Sequence, residues 1–353
     1  MKYHIVSQIY VPFDWTAKGG AEEYHIQLAM QLVERGYDVA SYTPLPPGRM
    51  PDTVCGVDWW DIKDVYRDCG DPGIWIFQRD PTIVYIWDKQ PDQYLCFAAH
   101  DIDYGEGWTE KYDAILADSE YHAQFLRERH HHPNVIATGV APQFQWLDQV
   151  QPVERNPKRL MWSSSYTRGL DCLIGVYGRA LEQVPDLELY VAMGWESIDC
   201  RKDPSLDAYK ASVIELMEKY HVHHLGRLPT SIDVWQEYAK SGLWVFPSMW
   251  LETGCQTAME AQAMGAIPIW NPHWATIENC RHGIAIHGDP YTDQLVRMRF
   301  VQEVVNLAVN PERQEEIRAD MIPWARKHFQ FSKVVDRVVE ATVNKGANYV
   351  LRG

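Results

Sequence analysis

Positive charge is scarce in this chain. Its 353 residues carry 33 Lys and Arg against 48 Asp and Glu, a formal net charge of −15 at pH 7 with His neutral. Such a surface repels nucleic acid and anionic membranes unless basic residues gather locally, so nucleic acid is not expected as a partner. Long apolar runs are missing too: no stretch approaches membrane-spanning length. The N-terminal Tyr3–Tyr10 stretch is mixed and has no apolar core of the kind a signal peptide carries. These absences predict a cytoplasmic protein without a transmembrane segment. Cysteine is sparse, with seven residues at 55, 69, 96, 172, 200, 255 and 280. The number is odd and no pair has the spacing of a zinc site or a redox motif, which predicts free thiols in a reducing compartment. Short repeats and low-complexity segments are also absent. What remains is a globular composition, 46% hydrophobic and 23% charged, long enough for about two domains.

Apolar runs and helical periodicities alternate along the chain. Strands are predicted at 5–11, 39–42, 73–77, 94–99 and 114–117, with helices over 21–35 and 119–129. Ala21, Tyr24, Leu28 and Leu32 mark one face of the first helix. A polar, Pro-bearing stretch at 143–158 reads as a linker. The pattern then restarts with strands at 160–163, 187–192, 223–225, 243–246, 267–270 and 284–286, separated by helices, and the tail reads as three helices. Strands alternating with helices predict parallel, doubly wound sheets. The expected domains are 1–150 and 151–322, with a C-terminal helix at 323–353 packing back on the first.

One stretch of the second half carries the densest chemistry. The run 243–246 closes at Pro247-Ser248, and Glu252-Thr-Gly-Cys-Gln-Thr-Ala-Met-Glu260 follows, ending in a helix that Gly265 can terminate. Thr253 or Gly254 is expected to cap that helix. Eight residues of helix separate the two carboxylates by roughly 12 Å along the axis. That span suits a nucleoside diphosphate sugar. Its diphosphate would sit at the helix N-terminus near Gly254 and Cys255, where free N–H groups favour anions. Neutral diols would meet each Glu, because a carboxylate only accepts.

Other polar clusters fall at predicted strand ends, where open α/β sheets bind ligands. Gly19-Gly20 precedes the first helix. His100-Asp101 ends the strand at 94–99. Ser163-Ser164-Ser165-Tyr166-Thr167-Arg168-Gly169 follows the first strand of the second half, and an Arg there can grip a diphosphate with two bonds. Arg227 follows the strand at 223–225. Asp101-Ile-Asp103 has the form of a metal-binding Asp-x-Asp, and 130–132 is a run of three His. Consecutive His point in different directions and Pro133 follows, so the His run is read as an exposed helix end and no metal site is expected. Trp15, Trp108 and Trp250 lie in loops near these strand ends and are candidate stacking surfaces for a sugar.

The stretch from Glu252 to Glu260 resembles the signature of the retaining glycosyltransferase group 1 family, of GT-B fold. Gly19 through Val39 resembles the opening of that family, and Trp162 through Asp171 its phosphate loop. The resemblance runs in order along nearly the whole chain. It implies an α/β, GT-B protein, two doubly wound Rossmann-like domains facing across a cleft, that takes a nucleoside diphosphate sugar as donor and a saccharide or small molecule as acceptor. It implies Glu252 and His100 at the sugar, Glu260 on the ribose hydroxyls, and Arg168 with Gly19, Gly20, Ser163 and Ser164 near the diphosphate. Arg227 would lie near the nucleobase, and no cofactor or metal is required. The family's loop carries an early basic residue as well; this chain has Ser163 or Ser164 there. Two alternatives remain: a nucleotide-sugar epimerase on the same scaffold, separable by product analysis without acceptor, and a non-catalytic sugar-nucleotide-binding protein, whose sign would be tight binding with no turnover.

Overall fold

Alternate residues of the first strands part company. Ile5, Ile74 and Ile76 join one apolar cluster, whereas Val6, Trp75 and Phe77 join another. A strand turns successive side chains to opposite faces, so both faces of this sheet are buried, as parallel sheets require. The structure, a computed structural model, describes residues 1–8, 19–45, 48 and 50–350. The chain divides into two units, Met1–Gln143 with Gln330–Gly353, and Phe144–Phe329.

The first unit contains β1 (Lys2–Ser7), α1 (Gly20–Glu34), β2 (Asp38–Thr43), β3 (Asp52–Val54), β4 (Val57–Asp61), α2 (Val65–Asp68), β5 (Gly73–Gln78), β6 (Gln93–Ala99), β7 (Ala114–Ala117), α3 (Glu120–His130) and β8 (Val135–Ala137). Its strands lie in the order β3-β4-β2-β1-β5-β6-β7-β8, parallel except for the β3–β4 hairpin. Ser119 caps α3 by accepting from the His122 N–H. That hairpin is absent from the sequence reading. Its turn puts Cys55 and Gly56 at φ 53° and 76°, and Cys gives none of the Asn-Gly or Asp-Gly signal that marks such turns. The expected continuation of β1 over 9–11, and Trp15, lie outside the described residues.

The second unit contains β9 (Asn156–Trp162), α4 (Leu170–Leu181), β10 (Glu188–Ala192), α5 (Glu196–Asp199), α6 (Pro204–Lys219), β11 (His223–Gly226), α7 (Ser231–Lys240), β12 (Ser241–Phe246), α8 (Gln256–Met264), β13 (Ile267–Trp270), α9 (Thr276–Asn279), β14 (Ile284–Ala285), α10 (Gln294–Ala308) and α11 (Pro311–His328). Its six parallel strands lie in the order β11-β10-β9-β12-β13-β14. Counted from β9 this is 3-2-1-4-5-6, the doubly wound dinucleotide-fold order. The final helix, α12 (Phe331–Val350), belongs to the first unit. There Phe331, Val334, Val335 and Val338 share a cluster with Tyr24, Leu28 and Leu32, and the Tyr3 hydroxyl lies 2.8 Å from that of Thr342.

Two boundaries differ from expectation. The second unit starts at Phe144 instead of 151, because 144–149 already forms a 3-10 segment that packs Phe144 edge-on against Trp235. The chain returns to the first unit at Gln330 instead of 323. Pro323 lies inside α11 without ending it, and Arg326 beyond it donates to the Ala263 carbonyl, which keeps this turn in the second unit. Among the described residues no helix is long and apolar enough to cross a membrane.

Candidate functional site

The strand order of the second unit reverses between β9 and β12, and a crevice opens at the carboxyl ends of strands at such a point. Two segments meet there: 163–169, which follows β9, and 247–255, which follows β12. Their contact requires glycine. Gly169 has φ +119°, and a Cβ on it would stand 3.1 Å from both the Pro247 carbonyl oxygen and the Tyr291 hydroxyl.

Arg168 and Glu252 form an ion pair across this contact. Nη1 of Arg168 donates to both carboxylate oxygens of Glu252, at 3.0 and 2.9 Å. The two ends differ in burial: the Glu252 side chain is 3% exposed and that of Arg168 is 36% exposed. Burial raises the Glu252 carboxyl above its usual range, and the adjacent guanidinium opposes the rise. The Arg168 guanidinium also lies 5.6 Å from the ring centre of Trp250, which is exposed. The sequence reading gave Arg168 to a diphosphate and Glu252 to a sugar; that the two bind each other carries no local sequence signal, since they are 84 residues apart.

The helix at this site begins later than expected. Neither Thr253 nor Gly254 caps it: α8 starts at Gln256 with Cys255 as N-cap, so Glu252 lies on the loop and Glu260 one turn into the helix. The 12 Å helical spacing therefore does not apply. The reason is a contact from 24 residues away: the Cys255 N–H is taken by Asn279 Oδ1 at 2.8 Å, with Cys255 outside helical geometry at φ −83° and ψ 81°. The N–H groups of Gln256 and Ala258 bond to the carbonyls of Gly254 and Cys255. These bonds leave the helix end fewer donors for an anion than an uncapped terminus offers. Burial pushes the Cys255 thiol up to about 12, so it is a packed thiol and not a nucleophile.

Glu260 is buried and accepts from the Trp235 indole N–H at 2.9 Å. Ser163 Oγ lies 2.6 Å from the Tyr238 hydroxyl. Ser164 is buried, and its carbonyl accepts from Trp162 Nε1. Trp235 and Tyr238 both come from α7. At three residues apart on one helix face they read as core, which is why the sequence pointed to neither. Arg227 is exposed just beyond β11. In the same region Tyr166 OH accepts from the Gly194 N–H and lies 2.8 Å from His224 Nε2.

The remaining candidates belong to the first unit. His100 follows β6, and its Nδ1 lies 2.9 Å from Asp118 Oδ1, with both side chains buried. An anionic Asp118 accepts, so the proton is assigned to Nδ1. Tyr24 packs edge-on to the imidazole at 4.6 Å. Asp101 and Asp103 are occupied: Asp101 pairs with Arg79, and Asp103 with Arg129 and His130. The His run is not a simple exposed end. His131 is exposed as a left-handed C-cap, while the His130 side chain is buried on Asp103 and His132 reaches the Tyr112 carbonyl. Among the described residues no three His, Cys, Asp or Glu form a group able to hold a metal ion. Gly19 is the N-cap of α1 and Gly20 its first residue, with Glu22 and Glu23 in the first turn. Two carboxylates there oppose an anion at that helix end. Trp108 is 1% exposed and packs on Phe97, Tyr104 and His130, so it is core and offers no stacking face.

No protein-family model and no curated protein matches the sequence. Solved structures do resemble the fold. Sucrose-phosphate synthase from Thermosynechococcus elongatus superposes with a TM-score of 0.72 at 13% identity, over 96% of this chain and 97% of that one. Anabaena HepE in complex with UDP and glucose gives 0.68 at 13% identity, over 96% and 98%. AviGT4, a glycosyltransferase involved in avilamycin A biosynthesis, gives 0.65 at 14% identity, over 98% of each chain. The chain has the GT-B glycosyltransferase fold.

Proposed function

We propose that this protein transfers a sugar from a nucleoside diphosphate sugar to a saccharide or small-molecule acceptor, with retention of anomeric configuration. The observation that carries the reading is the pairing of Arg168 with Glu252 at the switch point of a dinucleotide-type sheet, beside a helix bearing Glu260. HepE of the same fold was solved with UDP and glucose, which supports a nucleotide-sugar donor.

In this reading the diphosphate lies along 163–169. Arg168 gains most when charge develops on the leaving group, because a fixed donor aimed at developing charge lowers the barrier. Glu252 meets the sugar and Glu260 accepts from the ribose hydroxyls, with Trp235 holding its carboxylate in place. The resemblance assigns His100 to the sugar as well; within its own unit the ring is set by Asp118. Arg168 and backbone N–H groups serve the phosphates, so no metal is assigned. Retention rests on the resemblance at Glu252 and Glu260. Inversion would instead need a base opposite the leaving group, a role for which the sequence offers His100, whose ring is paired with Asp118. The test is proton NMR of the earliest product from an α-linked donor offered a panel of saccharides. An α-linked product is expected; a β-linked one would overturn retention and move the base to His100.

A further inference from the structure

We infer that donor binding draws Arg168 away from Glu252, and that Glu252 takes up a proton from solvent in exchange and meets the sugar as a neutral carboxyl. The inference rests on the proposed donor site and adds a protonation step to it.

The pair is asymmetric. Glu252 is enclosed, whereas Arg168 is over one-third exposed and sits on the loop that would receive the diphosphate. A diphosphate carries more negative charge than one carboxylate and presents oxygens that match a guanidinium fork. Once Arg168 turns to it, the Glu252 carboxylate would be a buried charge without a cation. Such a charge costs several kcal/mol, and a carboxyl in that position protonates instead.

Among the described residues, Arg168 is the only cation that acts on Glu252. Cys255, at the start of α8, interacts with Glu252 only as a thiol whose ionisation Glu252 opposes. Glu260 on α8 acts on Tyr238. The segment after β13 touches Glu252 through the Ala275 N–H, which bonds the Glu252 carbonyl. Its ionisable group, His273, is influenced by Asp289. Glu278 of α9 is exposed. Burial already raises the Glu252 carboxyl while Arg168 is present, so losing the guanidinium moves it further in the same direction. The proton comes from the buffer, and the neutral carboxyl both donates to one sugar hydroxyl and accepts from another.

The sign follows from linkage. A complex that binds one more proton than its parts weakens as pH rises, by about tenfold per unit where uptake is complete. The experiment is titration calorimetry of the full chain with UDP-, GDP-, ADP- and TDP-glucose, repeated for the best binder in buffers of different ionisation enthalpy. The diphosphate of these donors is a diester with no group titrating near neutral pH. Uptake of up to about one proton is expected for the native protein, with affinity falling from pH 6 to pH 8. Glu252→Gln is expected to bind without net proton exchange. Binding with no buffer dependence in the native protein overturns the inference and leaves the proposed function standing. Unchanged uptake in Glu252→Gln overturns it as well, since the proton then goes elsewhere. Should that variant fail to fold, a pH-independent affinity in the native protein serves as the overturning result. Failure of all four nucleotides to bind removes the donor site and the inference together.

Discussion

At the scale of single residues, Glu260 and Arg168 make the sharpest claims. Glu260→Gln keeps the shape and can still accept from Trp235, but it loses charge-assisted acceptance from two hydroxyls. Donor affinity should fall by about 1.5–3 kcal/mol, read by calorimetry. An unchanged affinity would remove the ribose role. Arg168→Ala should slow turnover by on the order of a hundredfold or more, with a smaller effect on donor affinity. Near-normal turnover would make Arg168 a loop residue whose task is to neutralise Glu252. The sequence singled out Arg168 by its residue type at a strand end and Glu260 by its spacing from Glu252. Their partners were not legible. Trp235 and Tyr238 look like core on α7, and the bond from Asn279 that delays α8 comes from 24 residues away.

Among the elements, α8 is held at its far end by an unusual set of cations. Arg155 donates to the carbonyls of Tyr238, Ser241 and Met264, Arg318 to those of Gly265 and Gly242, and Arg326 to that of Ala263. Positive charge at a helix C-terminus complements its dipole. The bonds to Ala263, Met264 and Gly265 lie at the end of the helix that carries Glu260. Arg155→Ala should cost about 1–3 kcal/mol, the penalty for a buried acceptor left unsatisfied, visible as a lower urea midpoint. A midpoint equal to that of the native protein would show that water replaces the guanidinium. At the front of the site, Gly169→Ala should lose about 1–2 kcal/mol of stability from its positive φ and also weaken donor binding, because the loop must withdraw from Pro247 and Tyr291. A variant with native Tm and native donor affinity would contradict this. Strands with pure apolar runs, such as 114–117 and 267–270, were readable to the residue. The β3–β4 hairpin was not, because its strands are short and partly exposed and its turn uses Cys. The start of α8 was missed for a related reason: a tertiary hydrogen bond overrode the local capping signal.

For the whole molecule, alternation of strand and helix pointed to two doubly wound units; the six-stranded order beyond 156 comes from the structure alone, because the same alternation also builds sheets of other order. The exact joints did not follow, since Pro323 reads as a helix breaker and the contacts that carry α11 past it are long-range. The functional reading treats the phosphates as served by Arg168 and backbone N–H groups, so turnover should survive EDTA. Loss of activity on chelation with recovery on adding Mn²⁺ would contradict that and direct attention to carboxylates such as Asp101 and Asp103. The claim at the centre of the account is that the second unit holds a nucleoside diphosphate sugar with Glu260 as one of its grips. Thermal unfolding with UDP-, GDP-, ADP- and TDP-glucose tests it most directly. Ligand at a hundredfold above its dissociation constant adds about 2.7 kcal/mol. The account predicts that at least one of the four raises the Tm of the native protein, and that the rise at the same concentration shrinks in Glu260→Gln. A native Tm that none of the four moves, at any concentration reached, would contradict it.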